Sequence, residues 1–150
     1  MNKNSLKIIA LVAIICGSTA YYAIAQCNTF TKKKCMPILK PFIHNGQLNS
    51  VTLSPGESAS LMLTFYIDTD YRLAVCGQEI LGDVYYKVMK KDSTLVFDSK
   101  TQKNPQFWDF NVKSTQQMIV EVTAPDRKMK GGESFEDMGC ASVLVGFKKD

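Results

Sequence analysis

Cys27, Cys35, Cys76 and Cys140 are the side chains of this chain most able to do covalent chemistry, and their spacing decides which kind. A structural zinc site draws on C-x-x-C pairs or mixed Cys and His ligands. No C-x-x-C occurs, and His44 is the one histidine. Thiol-redox chemistry loses its usual motif for the same reason. Cys16, the fifth cysteine, leaves with the signal peptide expected at 1–25, and in an exported chain the other four pair into two disulfides, with three possible connectivities. Position favours Cys27 with Cys35, eight apart in an N-terminal arm read as irregular, and Cys76 with Cys140, at the end of one expected strand and the start of the last.

Nucleophilic catalysis through a Ser-His or Cys-His pair would have to use His44, which sits in the turn-like sequence His44-Asn45-Gly46-Gln47. The serines offer no nucleophile elbow, since Gly56-Glu57-Ser58-Ala59-Ser60 has Ser where that motif requires its second Gly. No catalytic residue is assigned. Asp68 and Asp70, joined by Glu79 or Asp83, supply the hard oxygen ligands that calcium takes at a loop edge. The same aspartates suit a turn that bonds its own backbone, so they stand as a calcium candidate only and no metal site is assigned.

Trp108, with Tyr85 and Tyr86, would form a sugar-stacking platform if exposed. Phe107 and Trp108 must point to opposite sides of a strand, and the assignment adopted turns Trp108 and Phe110 into the core, near Leu63 or Val120. Trp108-Asp109 does not signal a propeller, because nothing in the chain repeats. Residues 125–139 make the one long loop, and Arg127, Lys128, Lys130 and Phe135 within it are the candidate contact residues for a partner.

These side chains follow an export signal. Lys3 and Lys7 form a basic start, residues 8–16 an apolar centre, and residues 17–25 a small-residue end closing on Ala23-Ile24-Ala25, the layout of a cleaved signal peptide. Two rivals place the protein on a membrane. Residues 8–25 would serve as an uncleaved anchor across a bilayer of about 30 Å, and Cys27 would be lipidated, although the bulky, polar Gln26 before it argues against that. Without residues 1–25 the 150-residue chain keeps 125, enough for one domain with its own core. Losing Lys3 and Lys7 takes 18 basic residues to 16 against 14 acidic ones, too even a balance for a nucleic-acid binder. The run Lys32-Lys33-Lys34 reads as solvated loop charge.

The elements that position these groups read as strands. Residues 58–67 alternate, with Ala59, Leu61, Leu63, Phe65 and Ile67 on one face and Ser58, Ser60, Met62, Thr64 and Tyr66 on the other. Tyr71, Leu73 and Val75 repeat the pattern, as do Val84, Tyr86 and Val88, and then Met118, Val120, Val122 and Ala124. Ser54-Pro55-Gly56-Glu57 turns the chain between strands, and residues 90–93 turn it into residues 94–97 as a hairpin. No segment shows a helical period. Seven or eight short strands with polar turns predict an all-β fold, an antiparallel β-sandwich of jelly-roll type.

Several phrases carry a resemblance: Cys35-Met36-Pro37 with His44-Asn45-Gly46-Gln47, Tyr71-Arg72-Leu73 running to Cys76-Gly77, Leu81-Gly82, Phe107-Trp108-Asp109-Phe110, and Gly139-Cys140 leading to Leu144-Val145-Gly146-Phe147. Together they resemble small exported Bacteroidota proteins whose body is similar to the pre-peptidase C-terminal type of β-sandwich. The resemblance spans nearly all of the mature chain. It implies a disulfide-bearing sandwich working beside other envelope proteins, with no catalytic residues. Pre-peptidase modules accompany a protease, and this chain has no room for one.

The expected organisation is a signal peptide at 1–25, a disulfide-stapled arm at 26–47 and a sandwich domain at 48–150. The expected function is a non-catalytic, cofactor-free binding module of the bacterial cell envelope, periplasmic or extracellular, contacting another envelope or secreted protein. Nucleic acid is excluded as a partner, and a membrane enters only through an uncleaved signal segment or a lipidated Cys27. A carbohydrate-binding module is the alternative, with a secreted enzyme or thiol-redox protein third.

Overall fold

A computed structural model describes residues 27–126 and 138–148. The signal peptide expected at 1–25 and the candidate contact residues Arg127, Lys128, Lys130 and Phe135 lie outside the described residues. Among those described, nine strands form two antiparallel sheets: β1 (Ile43–His44), β2 (Asn49–Leu53), β3 (Ser58–Phe65), β4 (Asp70–Gly77), β5 (Tyr85–Lys90), β6 (Leu95–Asp98), β7 (Phe107–Asn111), β8 (Gln116–Thr123) and β9 (Gly139–Phe147). Sheet A runs β1-β9-β4-β7, with β2 also pairing β9, and sheet B runs β3-β8-β5-β6. The antiparallel sandwich predicted from alternation is present, with the two-residue β1 as the strand the alternation did not reveal.

Burial follows the predicted faces except at Ile67, expected on the inner face of the strand at 58–67: β3 ends at Phe65 and Ile67 is 50% exposed. Leu63 and Phe65 of β3, Tyr86 and Val88 of β5, and Met118, Val120 and Val122 of β8 meet Tyr71, Leu73 and Val75 of β4 and Val143 and Val145 of β9 in one core between the sheets. Ser54-Pro55-Gly56-Glu57 closes with Glu57 N–H donating to Ser54 C=O at 3.0 Å, and Gly56 sits at φ +80°, where a Cβ would be strained. The β5-β6 hairpin turns where Thr94 N–H donates to the Asp92 carboxylate at 3.0 Å. The Thr94 hydroxyl and backbone together hold the Asp92 pKa below the ordinary carboxylate value.

The N-terminal arm is helical rather than irregular. Residues 27–30 form an α-helical turn, continued by a π-helical turn at Thr31–Cys35 and a 3-10 turn at Met36–Leu39. Cys27, Thr31, Cys35 and Leu39 are all buried, and their four-residue spacing puts them on one stripe, while Lys32, Lys33 and Lys34 face solvent. The stripe lies on the outer face of sheet A. Cys35 and Leu39 pack there with Ala74 and Cys76 of β4 and Leu144 of β9, and the Thr31 hydroxyl hydrogen-bonds Ser142 Oγ at 2.6 Å.

This geometry corrects the expected disulfides. The bonds are Cys27 with Cys140 and Cys35 with Cys76, at Cα separations of 5.4 and 5.9 Å. Cys76 lies opposite Ser142 in the β4-β9 register, so Cys140 is its diagonal neighbour, two positions along the strand from the residue facing it. Cys27 and Cys35 are two helical turns apart on the same stripe, so each reaches down to its own strand instead of across to the other. Both bridges fasten the arm to the sheet.

Candidate functional site

Most of the sequence-derived candidates turn out to be structural. His44 donates from Nε2 to Gln47 C=O at 3.0 Å, a carbonyl being able only to accept, and the next residue, Asn45, accepts from Gln47 N–H at 2.9 Å. The histidine staples a turn. Asp68 adopts φ +57° with its N–H donating to Val112 C=O, and Asp70 accepts from the Asn111 amide at 3.0 Å, both within turn and strand-end hydrogen bonding. Among the described residues no three His, Cys, Asp or Glu side chains gather as a metal-ligand set.

The aromatic candidates separate. Trp108 and Phe110 turn inward and Phe107 outward, as alternation requires, but β7 is an edge strand and leaves Trp108 half-buried. Two near-parallel rings occupy its π-surface, Phe97 at 4.8 Å and Phe110 at 4.2 Å between centroids. Tyr86 is 1% exposed and therefore no part of a surface platform. Alternation along β5 sends its ring into the core, where burial foremost, helped by the Asp109 charge, raises its phenol pKa. Tyr85 faces outward, and Lys100 Nζ sits 3.5 Å from its ring centroid. None of the three offers the free, flat face a sugar stacks on.

Arg72, on the outer face of β4, makes the densest polar cluster. Its Nε and Nη2 donate to both Asp109 oxygens at 2.7 and 2.6 Å, and Nη1 donates to Lys40 C=O at 2.6 Å and Ile38 C=O at 3.2 Å. Its guanidinium lies over the Phe42 and Phe107 rings. The Asp109 hydrogen bonds raise its pKa further, so it is cationic throughout any working range. With these four hydrogen bonds, Arg72 clamps the end of the arm to β4 and β7.

Among the described residues, what remains open is the outer face of sheet B. Strand register lines up Met62 with Ile119, Ile119 with Met89, and Met89 with Leu95, one apolar row crossing all four strands. At about 4.8 Å per strand the row spans about 14 Å. Met62 is 51% and Leu95 54% exposed, and Val96 beside it is also exposed. The neighbouring row is Ser60, Glu121, Lys87 and Asp98, alternating in charge across β8, β5 and β6. An apolar strip with a charged border is the surface anatomy of protein contact, and methionine lets such a strip adapt to its partner. The sequence held one signal for it: Met62, Met89 and Ile119 sit at outward positions of alternating strands, where a polar residue is expected, while Leu95 joins the row only through the register shift between β5 and β6.

No protein-family model matches the chain, and no curated protein matches it in sequence. Among solved structures it is similar to Aeromonas hydrophila PliG, a periplasmic lysozyme inhibitor of g-type lysozyme, with a TM-score of 0.50 and 9% identity over 73% of this chain and 90% of that chain. At that identity the likeness is one of fold.

Proposed function

We propose that this protein is an exported, non-catalytic binding module that docks another envelope or secreted protein on the outer face of sheet B. The observation that carries the proposal is the apolar row Met62-Ile119-Met89-Leu95 on a sheet face that no described element covers. The fold shared with a periplasmic inhibitor protein supports a sandwich used for binding protein rather than for catalysis. The sequence supports export through the Ala23-Ile24-Ala25 cleavage pattern. The ring contacts around Trp108, Tyr85 and Tyr86 favour a protein partner over a sugar.

The partner class the fold suggests is a secreted hydrolase of the lysozyme kind, held inactive by the bound sandwich. Pull-down from the native envelope with the exported protein, beside Met89→Lys and Leu95→Lys forms, tests the face. A stoichiometric protein captured by the unmodified chain and lost with both variants is the expected result. Capture unaffected by either variant would move the site elsewhere, and retention on a polysaccharide resin alone would replace the reading with a lectin. A g-type lysozyme activity assay with added protein tests the partner class, with lost lytic rate expected.

A further inference from the structure

We propose that the edge of β3 left unpaired among the described residues pairs with the β3 edge of a second copy, making a two-fold dimer whose sheet B runs through both chains. The edges of the sandwich are not alike. β7 carries Asp109, ion-paired to Arg72. The β1 and β2 edge is broken into pieces of two and five residues. β6 has four residues, ends on Asp98 and faces a register shift at Val88/Met89. Short length, charge and irregular pairing are how sheets prevent edge-to-edge association. β3 has none of them: eight residues, Ser-Ala-Ser-Leu-Met-Leu-Thr-Phe, without charge or proline, in unbroken register with β8 from Ser58 opposite Thr123 to Phe65 opposite Gln116.

Among the described residues the core is also unsealed along this strand. A cleft of about 310 Å³ opens between β2 and β3 beside Ala59 and Leu61, and another of about 580 Å³ opens farther along beside Leu63 and Phe65. Ala59 and Leu61 are inward-facing yet only half-buried. A strand laid on this edge would cover them.

A second copy fits because β3 is complementary to itself. With Met62 facing its own counterpart on the two-fold axis, Leu61 meets Leu63, Ala59 meets Phe65 and Ser60 meets Thr64, so apolar pairs with apolar inside and polar with polar outside. No charged residue of β3 meets another, and the exported chain's balance of 16 basic to 14 acidic residues leaves little repulsion between copies. The outer apolar row then continues from Leu95 through Met62 into the partner's row. The pairing is isologous and closes, so it stops at two chains.

Light-scattering mass of the protein purified from the periplasm of an expressing bacterium, at up to about 100 μM, tests it. The expected mass is that of two chains. Met62→Lys, which sets like charges face to face on the axis at an exposed position, is expected to halve it. Leu95→Lys, at the far edge of the sheet, is expected to leave two chains. The register is tested by Ser60→Lys with Thr64→Lys, expected to dissociate the dimer, against Ser60→Lys with Thr64→Glu, expected to keep it. Circular dichroism checks that each variant is folded. A single-chain mass for the unmodified protein, a folded Met62→Lys form that stays at two chains, or equal behaviour of the two double variants would overturn the pairing. So would a β3 edge occupied only when a different protein is added.

Discussion

The two outer faces of the sandwich are built from strands of similar length and end in opposite states. On sheet A the arm lays Cys35 and Leu39 over Ala74, Cys76 and Leu144, two disulfides fasten it, and Arg72 locks its far end. Both faces of β9 are consequently buried, from Gly139 to Gly146. On sheet B the corresponding surface keeps Met62, Met89, Ile119 and Leu95 at the solvent boundary. A face whose apolar groups are covered by the same chain contributes to stability. One whose apolar groups are left uncovered contributes less, and in the function proposed above it is where the partner docks.

The disulfides should break this comparison most strongly. In the chain-entropy model a bridge spanning 113 residues is worth about 5 kcal/mol and one spanning 41 about 4 kcal/mol, both upper values. Cys27→Ser with Cys140→Ser should therefore lower the melting temperature slightly more than Cys35→Ser with Cys76→Ser, and each should lower it by well over ten degrees for a domain of this size. Non-reducing peptide mapping should recover Cys27 joined to Cys140. A small thermal effect from either pair would mean that the arm adds little to the fold.

Packing gives the next largest contrast. Leu39 is 2% exposed against sheet A, so Leu39→Ala should cost about 2–5 kcal/mol in denaturant unfolding. Leu95→Ala on the open face should cost less than about 0.5 kcal/mol. Comparable losses would show that the apolar row of sheet B is stabilising the fold after all. Between these values falls Arg72→Ala, which removes donors from Asp109, Ile38 and Lys40 and should cost about 1–3 kcal/mol, with Arg72→Lys recovering only part because a single ammonium cannot span the same acceptors.

The strands were legible because alternation in segments such as residues 58–65 records burial on one face, and the structure places Leu63, Phe65, Tyr86, Val88, Val120 and Val122 as that alternation requires. The arm was not. Its stripe is only four residues long, two members are cysteines and one is a threonine, and the lysines between them read as loop charge. The disulfide pairing failed with it, since proximity along the chain favoured Cys27 with Cys35 while a helical stripe aimed both at the sheet. The apolar row of sheet B was legible residue by residue, as in Met62 among serines and threonines, but not as a row: lateral alignment depends on register, which no single strand encodes. Trp108 lies between these cases, its inward direction set by alternation and its partial exposure set by the edge position of β7.

The last predicted effect, one that depends on pH, lies between the two faces. The Tyr86 hydroxyl is buried and has no hydrogen-bond partner among the described residues, while its ring packs 5.4 Å from Phe97. Burial raises its pKa above the unfolded value of about 10. For an acid whose folded pKa is raised, the unfolded chain releases its proton first, so this contribution to stability is intact below about pH 10 and falls by about 1.4 kcal/mol per pH unit as pH rises above it. Tyr86→Phe removes both the titrating group and the unsatisfied hydroxyl. At pH 7 it should be neutral or stabilising by up to about 1 kcal/mol, and above pH 10 its unfolding free energy should decline less steeply than that of the unmodified protein. A clear loss of stability at pH 7 would mean that the hydroxyl has a partner in solution, such as a bound water entering from the cleft that Tyr86 lines with Val75 and Val84. Parallel pH profiles would show that the phenol titrates as an exposed group, and that the core between the covered and open faces is looser than its packing implies.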